Sequence, residues 1–500
     1  MSASSSKQSQ VSVPTKLAYG IGQIGEQVKN QGFNAFLFFF YTQVLGLSGT
    51  LAGFAVLVAL VFDAVTDPIA GSMSDNWKSP RGRRHPFMYA SAAPLGISFV
   101  VLFMPPNDLG QVGLFLWLTV FAIVVRGAMT LYHVPHLAMG AELSNDYEER
   151  TSIVAYRTLL AVVGGILVTI LSYQLFFPET PEYENGLLNA SGYPRYAGFA
   201  GVVMFVTIWY SAWGTRKEIP RMPTAPEHPE PFSFRRIGQE FAGAWANVSF
   251  RSLFIGFTLF GVFFGIAATL GTHINVFFWE FDTVQLQWLA APAAIGFLIG
   301  AGLVGAVHRR FDKMPTLIFA CLSTAVIGNS MILLRLFGWF PENDSPMLLP
   351  IIFAMLMVNL TIAAMGFVSA GSMMADVAEE HVLSSGRAQQ GIFFSATSFS
   401  GKLASGLGHF VAGVGLDLIA FPLQADPSDV APEAIRNLGL LNVSAAVLGL
   451  IAVWVFRSYR IDREAQARTR AALEGRHLDP ASAEDAAALA EETMGEVSSV

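Results

Sequence analysis

The sequence has few charges and almost no cysteine. Of its 500 residues only 13% are Asp, Glu, Lys or Arg, against ~25% in an ordinary soluble domain. The one cysteine, Cys321, excludes an intramolecular disulfide, a thiolate zinc site and an iron–sulfur cluster built from this chain alone. The net charge is −7 and no dense basic stretch occurs, so we expect no nucleic-acid partner. Residues 1–12 are polar and lack the apolar segment of a signal peptide, which predicts a disordered tail over residues 1–15.

The sequence is rich in apolar residues. Hydrophobic types make up 53% of the chain, Phe occurs 41 times, and the mean hydropathy is +0.48. So few charges could not shield this much apolar surface from water, so we expect most of the chain to lie in lipid. A spanning helix needs about 20 mostly apolar residues. That template predicts twelve spans, centred on residues 21–44, 51–73, 87–103, 112–139, 153–177, 197–213, 253–278, 286–307, 317–337, 348–374, 391–419 and 438–456.

The predicted fold class is therefore an all-α integral membrane protein with 12 transmembrane helices in two six-helix bundles. The bundles occupy residues 16–214 and 250–457, a Pro-rich linker covers 215–249, and a charged tail covers 458–500. Lys and Arg concentrate in alternate loops, in the linker and at the start of the tail. By the positive-inside rule both termini, the linker and the tail are predicted to be cytoplasmic.

Two carboxylates stand out within the second span. Asp63 and Asp67, in the string FDAVTDP, are spaced i,i+4 and so share one helix face, with Thr66 beside the second. Ionisable groups at this depth are costly unless they face a cavity or a partner. Two carboxylates in a low dielectric repel each other, so one must hold a proton or both must share a cation. Oxygen ligands suit an alkali cation such as sodium. The alternative is a structural pairing with a Lys or Arg of another helix.

A lysine in the eleventh span offers such a partner. Lys402 lies in the string SFSGKLASGLG, too far from either helix end to reach the interface easily. We expect it to pair with the carboxylates of the second span. A structural pair with Asp376 or Glu379 is the alternative.

Polar side chains in the first, fourth and fifth spans predict a polar cavity. His133 can donate and accept hydrogen bonds to a polyol or a head group. Although His136 follows one turn later, no third ligand is evident, so the pair does not predict a metal site. Arg157 could bind a carboxylate or a phosphate, or could form a structural pair with Glu142 or Asp63.

The first span is polar in its first half. Gln27 and Asn34 share one face with Gln31, and that face must line something wet or polar. Glu26 could instead form a local salt bridge with Lys29.

Several strings occur in an order that resembles a known family: KLAYGIGQIGEQ, FDAVTDPIAG, RGRRHPF, HVPHLAMGAELSNDYEERTSIVAYR and GKLASG. From about residue 16 to residue 456 the chain resembles the glycoside–pentoside–hexuronide:cation symporters of the major facilitator superfamily, such as melibiose permease. The strings FDAVTDP, HVP and KLASG also resemble the vertebrate sodium-dependent lysophosphatidylcholine symporter.

The resemblance implies a cation site at Asp63, Thr66, Asp67 and Thr130. The family's lysine and arginine fall on Lys402 and Arg157, whereas the aspartates that hold galactoside hydroxyls in melibiose permease fall on Gln27 and His133. The resemblance therefore implies the family's cation site in this chain, but it does not imply the galactoside specificity of melibiose permease.

The leading hypothesis is a sodium- or proton-coupled symporter of a small polar solute, a sugar or glycoside, without a cofactor. Gln27, Asn34, His133, Arg157 and Lys402 are the candidate substrate-binding residues. We expect a monomer in contact with membrane lipid, in a bacterial inner membrane. A lysophospholipid symporter is the first alternative. A membrane-embedded enzyme is a distant one, because no nucleophile–base or metal constellation appears.

Overall fold

The computed structural model describes residues 10–225, 233–385 and 390–478, and the helix is the only regular secondary structure in these ranges. The helices are α1 (Val13–Gln31), α2 (Gly49–Asp75), α3 (His85–Leu102), α4 (Gln111–Glu142), α5 (Tyr147–Phe176), α6 (Gly192–Thr215), α7 (Phe234–Trp245) and α8 (Val248–His273). They continue with α9 (Thr283–Trp288), α10 (Ala290–Phe311), α11 (Lys313–Leu336), α12 (Leu348–Ser385), α13 (Gln390–Leu418), α14 (Pro432–Ser444), α15 (Ala446–Phe456) and α16 (Arg463–Leu478).

Ten helices of the described chain are long and apolar enough to cross a membrane. They match ten of the predicted spans, and the two remaining spans are also helical, as α1 with its extension and as α13. The all-helical membrane fold is confirmed, and the count of twelve spanning helices stays a prediction.

The chain divides into two compact units. The first unit comprises Met1–Phe232, Gly265–Ala291 and Gly406–Leu441, and the second comprises the remainder. Within the first unit α1 packs between α5 and α6, α4 packs on α2 and α3, and α3 also packs on α6. Within the second unit α11 packs on α12 and α15, and α16 packs on α12. The predicted bundle and linker boundaries stay predictions.

Local sequence explains where α2 begins. The Ser48 hydroxyl accepts a hydrogen bond from Leu51 N–H at 3.2 Å, and so caps one of the free amides at the helix start. The two preceding amides, of Gly49 and Thr50, each donate to the Asp417 carboxylate at 2.9 Å. The α2 and α13 backbones lie so close here that position 413 requires glycine. A Cβ on Gly413 would lie only 1.9 Å from the Gly49 carbonyl oxygen.

The two sequence halves repeat one local structure. The helix that starts as α1 ends in π-helical turns, the last over Phe40–Val44, and α8 ends in a π-helical turn over Ile274–Phe278. These turns are closed by backbone hydrogen bonds of 3.0 and 2.9 Å. Each is followed by a side-chain N-cap, Ser48 before α2 and Asp282 before α9. Recurrence at corresponding positions is what an internal repeat of six helices predicts.

Ion pairs connect helices in both units at the loops that carry the predicted cytoplasmic basic residues. In the first unit Arg83 and Arg84 each lie 2.7 Å from the Glu142 carboxylate. In the second unit Lys313 pairs with Asp376. Basic residues of these loops therefore hold neighbouring helices together within each unit.

Candidate functional site

The α2 carboxylates meet α4 at one shared hydroxyl. Thr130 Oγ1 lies 2.7 Å from Asp63 Oδ1 and 3.0 Å from Asp67 Oδ1. Asp63 is buried, with 8% of its surface exposed. Because the hydroxyl has a single proton, it donates to one carboxylate at a time or is shared between them. The spacing i,i+4 thus brings two carboxylates and a hydroxyl oxygen into one small group, here called the α2 carboxylate site.

Thr66 takes a different orientation from the one the sequence suggests. Its hydroxyl donates to the Asp63 backbone carbonyl at 3.2 Å, within its own helix. The contact to the carboxylates comes instead from Thr130, which the sequence strings identify through resemblance alone. A ligand role for Thr66 stays a prediction.

Sequence reasoning missed one charged residue of this site. Arg126 of α4 is buried, and its Nη1 lies 3.4 Å from Asp63 Oδ2. Its guanidinium also lies over the Phe33 ring, 4.7 Å from the centroid. The signal was available, because Arg126 is an ionisable residue in an apolar helix, one turn before Thr130.

A second polar group lies between α1 and α4. His133 Nδ1 lies 2.9 Å from Glu26 Oε2, and the Gln23 side-chain amide donates to the same carboxylate. The sequence suggests only Lys29 as a local partner of Glu26, whereas in the structure Glu26 also contacts His133 on another helix. Glu26 is therefore a further candidate for the polar cavity.

The two histidines of α4 have different surroundings. His136 is fully buried, and its Nε2 lies 2.9 Å from the Tyr19 carbonyl oxygen. Its ring stacks on those of Tyr19 and Tyr132, with centroids 4.4 and 4.9 Å away. His136 is thus a packing residue, while His133 is partly exposed and faces a carboxylate. No group of three or more potential metal-binding side chains occurs in the part of the chain that the structure describes.

Arg157 is held by neither of the carboxylates offered as structural partners. Its Nη1 lies 3.5 Å from the Tyr19 hydroxyl. Glu142 pairs with two other arginines, and Asp63 pairs with Arg126. A guanidinium held this loosely can still bind an anionic group.

The two candidate substrate-binding residues of the first span differ in exposure. Gln27 is half-buried and packs close to Gly165 of α5, whereas Asn34 is exposed.

Lys402 lies on α13 in the second unit and is half-buried. The two acidic residues considered as its structural partners bind elsewhere: Asp376 pairs with Lys313, and Glu379 pairs with Arg470 at 3.2 Å. The pairing of Lys402 with the α2 carboxylates stays a prediction.

Comparison with known proteins identifies the family. Residues 18–463 match the family of MFS/sugar transport proteins. The chain is 24% identical over 442 residues to the inner membrane symporter YicJ of Escherichia coli, covering 88% of each chain. It is 27% identical over 502 residues to sodium-dependent lysophosphatidylcholine symporter 1 of Gallus gallus, covering 93% of this chain and 90% of that one.

The fold is shared with solved transporters at low sequence identity. A bacterial homologue of the human lysosomal transporter Spinster superimposes with a TM-score of 0.61 at 15% identity, covering 89% of this chain and 96% of that one. The expected family and the multi-pass membrane location are thereby confirmed. The chain belongs to the MFS/sugar transport protein family and is a secondary transporter, not an enzyme.

Proposed function

We propose that this protein couples the movement of a cation, sodium or a proton, to the uptake of a small polar solute, a sugar or glycoside. The observation that carries the proposal is the α2 carboxylate site, in which Asp63 and Asp67 share the Thr130 hydroxyl. A buried and a half-buried carboxylate that share a hydroxyl donor attract positive charge, and their oxygens are ligands that alkali cations accept.

The cation would be held by Asp63 and Asp67, with Thr130 and Thr66 as neutral oxygen ligands. Binding a cation offsets the repulsion between the two carboxylates, so the occupied and empty sites differ strongly in electrostatic free energy. Lys402 supplies the predicted second cation, which competes or cooperates with the coupling ion. Alternating access of the two helical bundles then links cation and solute movement.

The solute would bind to polar side chains of the first unit. Gln27, Asn34 and His133 offer hydrogen-bond donors and acceptors suited to sugar hydroxyls, and Arg157 can bind an acidic sugar. The contact with Glu26 at 2.9 Å orients the His133 ring, leaving Nε2 for the solute. Gln27 and His133 stand where the family uses aspartates for galactosides, so we expect a different sugar class.

A lysophospholipid is the second candidate solute. Arg157 could bind its phosphate, while the Glu26 carboxylate suits a quaternary ammonium group. The similarity to the Gallus gallus symporter supports this alternative. In either case we propose a monomer in a bacterial inner membrane, with both termini cytoplasmic.

The test is transport by purified protein in proteoliposomes. Counterflow against a panel of sugars, uronides and lysophospholipids identifies the solute. Gradients of sodium or of protons then identify the ion. Asp67→Asn should abolish cation-driven accumulation and leave the protein folded. Asp108→Asn is the matched control, because Asp108 is an exposed loop residue and should transport normally. Normal cation dependence in Asp67→Asn would refute the proposed site.

A further inference from the structure

Arg126 gives the α2 carboxylate site a permanent positive charge. It lies on α4, four residues before Thr130, and 8% of its surface is exposed. An arginine remains protonated in proteins, so its side chain brings a permanent positive charge to Asp63. The partner is Asp63, whose Oδ2 lies 3.4 Å from Arg126 Nη1.

The two oxygens of Asp63 face different partners. Oδ1 lies 2.7 Å from the Thr130 hydroxyl, on the side of Asp67, whereas Oδ2 faces the guanidinium. A contact of 3.4 Å is longer than the 2.7–2.9 Å typical of a charge-assisted hydrogen bond. Arg126 therefore acts on the site chiefly through its charge, from the far side of Asp63. It does not compete for the oxygen that faces Asp67.

The arginine is fixed in this position by packing. Its guanidinium lies over the Phe33 ring at 4.7 Å from the centroid, and Phe33 is itself buried. Such stacking stabilises a desolvated guanidinium. When both carboxylates are ionised, the Arg126 guanidinium offsets one of their two negative charges, and a less negative site favours a cation of lower charge.

We propose that Arg126 is a positioning residue that sets the affinity and the valence preference of the cation site. By offsetting one of the two carboxylate charges, it weakens cation binding enough for release and shifts the preference of the site from divalent toward monovalent ions. This inference rests on the proposed function, because it presupposes that the α2 carboxylates bind the coupling cation.

The test compares charge variants of purified protein by the rise in melting temperature on titration with Na⁺, Li⁺ or Ca²⁺ in a choline chloride background. Arg126→Gln should lower the half-saturating Na⁺ concentration at least tenfold and introduce a response to Ca²⁺. Arg126→Lys keeps the charge and should stay within threefold of wild type. An unchanged or raised half-saturating concentration in folded Arg126→Gln overturns the proposal, and so does the absence of any response to Na⁺ and Li⁺ in both wild type and Arg126→Gln.

A second pair of variants covers the case in which Arg126→Gln does not fold. Asp63→Asn leaves one carboxylate against one guanidinium, so its Na⁺ response should be lost. Asp63→Asn with Arg126→Gln removes one charge of each sign, so it restores the wild-type net charge of the site and should recover at least a tenfold stronger response than Asp63→Asn alone. A double variant no better than Asp63→Asn overturns the proposal. If Asp67→Asn loses coupled transport while these variants behave alike, only the role of Arg126 fails. If Asp67→Asn keeps coupled transport, the proposed cation site itself fails.

Discussion

Replacing Thr130 by valine tests whether the shared hydroxyl holds the α2 carboxylate site together. Valine keeps the shape of the side chain and removes one oxygen, which lies 2.7 Å from Asp63 and 3.0 Å from Asp67. A hydrogen bond to a charged group contributes about 1.5–3 kcal/mol. If the hydroxyl is a cation ligand, losing it should raise the half-saturating concentration of the coupling cation, and this free energy corresponds to roughly 10- to 150-fold.

The matched control lies on the same helix. The Thr119 hydroxyl donates to the Phe115 carbonyl of its own helix at 2.7 Å. That carbonyl retains the backbone hydrogen bond of the helix, so Thr119→Val should change stability by less than about 0.5 kcal/mol. Thr130→Ser, which keeps the hydroxyl, should remain within threefold of wild type.

The measurement is cation-driven accumulation in proteoliposomes as a function of cation concentration, together with thermal unfolding of the same preparations. We expect Thr130→Val to lose cation affinity and to unfold at a lower temperature, while Thr119→Val changes neither. Equal behaviour of the two valine variants would show that the hydroxyl stabilises neither the carboxylates nor the bound ion.

Three further predictions concern other parts of the molecule. Asp417→Ala removes a carboxylate that caps two amides at the start of α2, so stability should fall by about 0.5–2 kcal/mol; thermal unfolding checks this, and an unchanged melting temperature would contradict it. His133→Ala and Arg157→Ala should each weaken solute binding at least tenfold in a direct binding assay, and unchanged affinity in both would place the solute elsewhere. Lys402→Met should abolish coupled transport although it keeps a long side chain, because the charge is what the predicted pairing uses; wild-type accumulation with an unaltered pH profile would make Lys402 a packing residue.

The period of the α-helix was enough to predict the α2 carboxylate pair. Asp63 and Asp67 are four residues apart in one helix, and the regular geometry of a helix fixes their common face without reference to any other segment. Thr130 was identified from ordered strings that resemble a family, and in the structure its hydroxyl lies within hydrogen-bond distance of both carboxylates; its role as a cation ligand stays a prediction.

Partners on other helices were harder to predict. Glu26 had a plausible local partner in Lys29, and only the packing of α1 near α4 brings it to His133. His133 and His136 look alike in sequence, yet one faces a carboxylate and the other is enclosed by two tyrosine rings. Rotation of a helix about its axis decides such differences, and neighbouring helices set that rotation.

By itself, the sequence determined that this is a helical membrane protein, where most spans lie, and which ionisable residues sit within them. These properties follow from hydropathy and from spacing along one chain, and both are local. The tertiary structure alone decided that Arg126 forms an ion pair with Asp63 and that Asp417 caps α2. In lipid every helix is apolar on most faces, so hydrophobicity does not specify which helices meet; close packing and polar contacts between helices do.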